Sequence, residues 1–186
     1  MKPENILIDK EGYAIITDFG LSKDNFKDSS GATSFCGTTE YIAPEILRKQ
    51  QYGKACDYWS FGCVLYEMLT GSPPFYSHNK REIFDKILYG TPNFYNFHSD
   101  SAVDLISQLL SKDPACRPNF QEIKEHEFFQ SINWDTVYRR KVIPPYIPML
   151  DDDDDLKHFD MEITCNPIDS PNLDNSGGNF SAWYLD

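Results

Sequence analysis

The stretch from Asp57 to Leu69 constrains this chain most. Tyr58, Trp59, Phe61, Val64, Leu65, Tyr66 and Met68 leave it almost no polar face. A helix that is apolar all round is stable only when other chain surrounds it, so this segment is expected to be the buried helix of a domain. Gly71 and then Pro73-Pro74 supply its stop. Three more helices are expected after it. The first is opened by Asn79 or His78 and carries Ile83, Ile87 and Leu88. The second, Ser101–Leu110, bears Val103, Ile106, Leu109 and Leu110 as one apolar stripe. The third, Asn119–Phe129, starts just after Pro118. Strand signals occur only at the front, where Ile6-Leu7-Ile8 and Tyr13 to Thr17 flank the turn residues Asp9-Lys10-Glu11-Gly12 and read as a small hairpin. Ser22 to Thr39 is polar and reads as a loop. No internal repeat is found.

The composition shifts near Arg139. Pro144-Pro145-Tyr146-Ile147-Pro148 is expected to be extended, and Asp151 to Asp155 is a solvated block of like charge. From Met161 onward helical pattern is scarce. Residues 139–186 are therefore read as a tail lying on something else, not as a second domain.

Over 186 residues the net charge is −12, which argues against non-specific nucleic-acid binding, since attraction to phosphates needs an excess of Lys and Arg. A basic peptide is the more natural partner. No apolar run approaches the ~20 residues of a membrane span, and Met1-Lys2-Pro3-Glu4-Asn5 lacks a signal-peptide core. The five cysteines form no CxxC pair and fit free, buried thiols in a reducing compartment. A soluble intracellular protein is expected.

Three short strings carry chemistry: Lys2-Pro3-Glu4-Asn5 before the hairpin, Asp18-Phe19-Gly20 after it, and Ala43-Pro44-Glu45 at the end of the polar loop. Asn5 and Asp18 flank a tight hairpin, so both can reach one point at its open end. An amide oxygen and a carboxylate there are hard ligands suited to Mg²⁺ holding nucleotide phosphates. Taken singly, each residue is better read as a turn cap or a loop start.

Together the strings resemble the eukaryotic protein kinases from the end of the catalytic loop onward. Asp57-Tyr58-Trp59-Ser60-Phe61-Gly62 and Lys112-Asp113-Pro114-Ala115-Cys116-Arg117-Pro118 extend the likeness along essentially the whole chain. The run Ser34-Phe35-Cys36-Gly37-Thr38-Thr39-Glu40-Tyr41-Ile42-Ala43-Pro44-Glu45 resembles the activation segment of the AGC group of Ser/Thr kinases. Pro145-Tyr146-Ile147-Pro148, Phe159-Asp160, Pro167-Ile168-Asp169-Ser170-Pro171 and Phe180-Ser181-Ala182-Trp183-Tyr184 resemble that group's tail motifs. The spacing is most like the branch of ribosomal S6 kinase, protein kinase B and serum-glucocorticoid kinase.

The resemblance implies an α+β fold: a mainly α-helical kinase C-lobe (1–138) with a β-hairpin at its start, followed by an AGC tail (139–186), and with the N-lobe absent. It implies ATP and Mg²⁺ as cofactors. Lys2 would steady the γ-phosphate, Asn5 and Asp18 would hold the metal ions, and Phe159 would reach the adenine pocket. Glu4 and Glu67 match acids that meet an Arg ahead of the acceptor, and Thr38 matches a residue that specifies a Ser/Thr acceptor. An internal ion pair is an equal alternative for Glu67. Ser34 and Ser170 match phosphorylation sites, with Lys23 among the cations receiving phospho-Ser34. Glu45 and Arg117 match a buried ion pair, and Asp57 matches an acid that anchors the catalytic-loop backbone. The implied partners are protein substrates with basic residues before the acceptor and an upstream activating kinase. The implied protein is a monomer of the cytoplasm, and also of the nucleus. The four histidines and the large apolar residues, Trp59, Phe61 and Trp134 among them, are given no site role.

The pattern also breaks. The motif H-R-D-x-x-x-x-N, aligned on Asn5, puts the catalytic base one position ahead of Met1. Met1 then falls at an internal position of that loop, and the chain reads as a truncated product, inactive alone and exposing an apolar face of the 57–69 helix. In the last tail motif Tyr184 stands where the group has a Ser/Thr phosphosite. The rival readings are a non-catalytic scaffold that binds kinase substrates or an upstream kinase, and a non-functional gene fragment.

Overall fold

The structure is a computed structural model, and it describes residues 1–20, 38–95, 97, 99–152, 155–159 and 161–165. The chain divides into two units, 1–148 and 149–186. The first begins with the expected hairpin. Strand β1 (Ile6–Ile8) pairs antiparallel with β2 (Ala14–Ile16), Ile6 opposite Ile16 and Ile8 opposite Ala14. Asp9 shapes the turn, its Oδ1 accepting the Glu11 and Tyr13 amides, and Gly12 takes the left-handed φ of 91° that the turn needs.

Among the described residues of this unit the α-helices are α1 (Pro44–Leu47), α2 (Ala55–Thr70), α3 (Lys80–Tyr89), α4 (Asp100–Leu109), α5 (Phe120–Glu125) and α6 (Trp134–Tyr138). Helix α2 is the expected central helix and overruns 57–69 at both ends. It stops at Gly71, whose φ of 80° is a left-handed cap and whose amide reaches the Glu67 carbonyl. Trp59 and Gly62 to Tyr66 are buried among Phe75, Ile83, Ile87, Leu105, Ile106 and Leu109. Helix α4 approaches α2 at Gly62, where a Cβ would stand 2.8 Å from Leu109 Cβ. Glycine is thus required here for close approach.

Of the two expectations for α2, burial on every side and an exposed apolar face, its last turn follows the second, with Met68 76% and Leu69 50% exposed. The packing of α4 centres on the turn at Gly62, and Met68 and Leu69 project beyond it. Helices α3 and α4 match expectation. Asn79 caps α3 through the Arg81 amide, and Ser99 caps α4 through the Ala102 amide. The expected 119–129 helix is broken. It opens on a full capping box, Asn119 with Glu122, but His126 turns extended (ψ 145°) and only a 3₁₀ turn, Glu127–Phe129, follows. His126 Nδ1 accepts the Phe128 amide and so favours the break.

One charged pair organises the lower core. Arg117 makes a bidentate contact with Glu45, Nη1 to Oε1 and Nη2 to Oε2 at 2.7 Å each, with both side chains buried. Two further donors reach Ala55 O at 2.8 Å and Ser111 O at 2.9 Å. Trp59 lies beneath it and stacks on Phe75 at 5.6 Å between centroids. Lys112 sits over both rings and donates to Ile87 O at 2.7 Å, at the C-terminal end of α3.

In the second unit, the Asp151–Asp155 block is not uniformly solvated. Lys157 bridges Asp151 and Asp155, and its hydrogen bond holds the Asp155 carboxyl well below the usual range. A short helix, α7 (Met161–Thr164), occurs where no helical pattern was expected. Among the described residues no helix is long and apolar enough to cross a membrane.

Replacing Arg117 with Met strands the Glu45 carboxylate in the core. Urea unfolding should show a loss of about 3–5 kcal/mol, the scale of breaking a buried pair. Gly62→Ala should cost about 1–3 kcal/mol by overpacking against Leu109, read in the same assay.

Candidate functional site

The hairpin delivers two of the expected residues to one place. A 3₁₀ turn, Pro3–Asn5, leads into β1, with the Asn5 amide on the Lys2 carbonyl. Beyond the last strand pair, the Thr17 amide donates to Asn5 O at 2.8 Å and closes the open end. Asp18 follows in a left-handed conformation, φ 59°, which Asp tolerates better than most residues. Asn5 Nδ2 donates to Asp18 Oδ2 at 3.4 Å, and the Gly20 amide to Asp18 Oδ1 at 3.3 Å. Each carboxylate oxygen keeps a lone pair, as does the Asn5 amide oxygen. The group is exposed, with Lys2 and Asn5 half-buried and Glu4 and Asp18 open to solvent. This donor set of one amide and one carboxylate fits Mg²⁺ completed by water and phosphate, not a closed protein cage. Among the described residues no group of three His, Cys, Asp or Glu could hold a metal.

A second constellation begins at Thr38. Tyr41, buried in a 3₁₀ turn (Thr39–Tyr41), donates its hydroxyl to Glu67 Oε2 at 2.6 Å. The Tyr41 carbonyl in turn accepts Ser60 Oγ at 2.9 Å, which fixes the turn to α2. Burial first, then the hydrogen bond and charge of Glu67, push the Tyr41 hydroxyl far up, so it stays a donor at any physiological pH. Glu4 and Glu40 also act electrostatically on that hydroxyl. Glu67 is the carboxylate in contact with this buried phenol.

Among the described residues Glu67 makes no ion pair, and its partner is the Tyr41 hydroxyl. Sequence reasoning assigned no role to Tyr41 or Glu40. The only signal for either was membership of the Thr39-Glu40-Tyr41 string, and only tertiary folding sets position 41 against position 67.

Thr38 is half-buried ahead of this turn, and its side chain makes no capping hydrogen bond there. Phe159 belongs to the second unit and is half-exposed. Ser34, Ser170, Lys23, Asp160 and the tail strings from Pro167 onward lie outside the described residues. Glu45 and Arg117 form the expected buried pair. Asp57 is exposed in the first turn of α2. Nor are all the cysteines buried. Cys63 is, Cys56 is half-buried, and Cys116 and Cys165 are exposed. Burial pushes the Cys56 thiol up to about 12 and Cys63 higher still, so neither supplies a thiolate nucleophile at neutral pH.

Residues 1–129 match the family model described as protein kinase domain. Along 91% of its length the chain is 47% identical to the serine/threonine-protein kinase Sgk1 of Fundulus heteroclitus, and along 90% it is 46% identical to that of Homo sapiens. It spans about 40% of the length of those relatives. A two-stranded hairpin carrying Asn5 and Asp18, a buried α2, the Glu45–Arg117 pair and this similarity agree: the chain belongs to the protein kinase family, and within it to the AGC group of serine/threonine kinases.

Proposed function

We propose that this chain is the metal- and substrate-holding part of a serine/threonine kinase that transfers the γ-phosphoryl of ATP to Ser or Thr in basic peptides. The convergence of Asn5 and Asp18 at the open end of the hairpin carries this reading. In it, Asn5 and Asp18 hold Mg²⁺ on the nucleotide phosphates, and Lys2 steadies the γ-phosphate. ATP, when bound, supplies the phosphoryl group; the protein's part is positioning and charge neutralisation. In the kinase resemblance Phe159 would reach the adenine. Phosphorylation of Ser34 and Ser170 by an upstream kinase is the regulatory counterpart.

The acidic constellation supports a basic substrate. Glu4 and Glu67 would pair with arginine ahead of the acceptor, with Glu67 held in place by Tyr41. Thr38 would orient the acceptor hydroxyl. The net charge of −12 steers such peptides toward the face.

Two measurements test this. Electron paramagnetic resonance of Mn²⁺ should show binding to the chain that Asp18→Asn abolishes; equal binding by both proteins would sink the metal assignment. Calorimetric titration with an arginine-containing Ser peptide should lose about 1.5–3 kcal/mol for Glu67→Gln, the scale of a hydrogen bond to a charged group. An unchanged affinity would remove Glu67 from the substrate site.

A further inference from the structure

The hairpin that carries Asn5 and Asp18 has little to hold it. Two short paired strands alone are marginal in water. Leu7, Ile8, Ile15 and Ile16 are all exposed, and of the strand residues Ile6 packs against the core. Its turn, however, is gripped from outside. Arg140 Nη1 lies 3.0 Å from Asp9 Oδ2 and 3.5 Å from Glu11 Oε2, and the guanidinium covers the Tyr13 ring at 4.9 Å. Tyr13 donates its hydroxyl to Val142 O at 2.7 Å. Gly12 faces the Tyr146 carbonyl and Pro144 so closely that no Cβ fits between them.

The backbone around Arg140 points the same way. Helix α6 ends in a full Schellman motif, with Arg140 N on Val137 O and Lys141 N on Thr136 O. The left-handed residue of that motif is usually glycine. Here it is Arg140, at φ 51°. The side chain occupies a position whose backbone disfavours it, and that side chain is the one that grips the turn.

We propose that residues 140–146 form a strap over the hairpin turn, with Arg140 as a positioning residue for Asn5 and Asp18. The ladder transmits the hold. Asp9 receives Arg140 at the turn, the Asp9 amide bonds Tyr13 O, and at the far end the Thr17 amide bonds Asn5 O beside Asp18. Released from the strap, the turn frays and the Asn5–Thr17 closure loosens with it. The consequence for metal rests on the proposed role of Asn5 and Asp18; the effect on the ladder does not.

The test is amide hydrogen exchange by NMR on the 186-residue chain, with Mn²⁺ line broadening recorded on the same samples. Arg140→Ala should speed exchange at Thr17 and Asp9 about tenfold, the sum of a lost exposed ion pair and a weakened hydrogen bond. Cys63 and Ile106 in the core should keep their rates. Arg140→Lys, which retains the charge facing Asp9, should recover part of the protection. Mn²⁺ affinity should fall with Arg140→Ala and follow the recovery. Unchanged exchange at Thr17, or an equal rise at Cys63 and Ile106, overturns the proposal. So does loosening of Thr17 with Mn²⁺ affinity intact. Tyr13→Phe, which removes a single hydrogen bond, makes the same comparison should Arg140→Ala fail to fold. If the unaltered chain binds no Mn²⁺, the metal reading falls, and exchange at Thr17 alone decides the strap.

Discussion

The guanidinium of Arg117 is the point on which the first unit turns. It binds Glu45 at the start of α1, the carbonyl of Ala55 at the start of α2 and the carbonyl of Ser111 after α4. Two segments 72 and 62 residues away in sequence are thereby brought to one side chain, together with the nearby Ser111 carbonyl. Burying two charges is costly, and such pairs contribute less net stability than their geometry suggests. What the pair supplies is register. A hydrophobic replacement could fill the volume, but it could not name which carbonyls and which carboxylate must meet. Trp59 beneath the guanidinium, and Lys112 over the same ring, extend this charged layer across the core.

The site inherits its rigidity unequally from that core. The segment from Thr38 to Glu45 is tied down at two points: Glu45 is locked to Arg117, and the Tyr41 carbonyl is locked to Ser60 on α2. The Tyr41 hydroxyl then points Glu67, so the acidic face rests on the most buried part of the molecule. The hairpin is different. Its side chains are largely open to solvent, and its order depends on its own ladder, on Ile6 and on the contacts its turn makes with residues 140–146. The two halves of the proposed chemistry, metal holding and substrate recognition, thus stand on supports of different stiffness.

Much of the architecture was legible because it is written in local pattern. The hairpin, α3 and α4 follow from turn residues, capping residues and apolar spacing, each of which acts over a few positions. The misreadings share a cause. Met68 and Leu69 continue the apolar run of α2, yet the packing of α4 is centred a turn and a half earlier, and no periodicity encodes where a neighbour ends. The 119–129 segment has helical composition, but His126 finds a better use for its ring as an acceptor for Phe128 N–H. The short helices α1, α6 and α7 have too few residues to show a period.

By itself the sequence determined that one apolar helix must be central, that a hairpin precedes it and that an amide and a carboxylate flank that hairpin. These are consequences of local chemistry, and family likeness added the Glu45–Arg117 pair. Only the tertiary structure decided that Tyr41 would be the partner of Glu67 and that Arg140 would reach across to Asp9. Those contacts join residues separated by long stretches of chain. Their geometry is set by how helices pack around Trp59 and Gly62, and packing is a property of all the neighbours together.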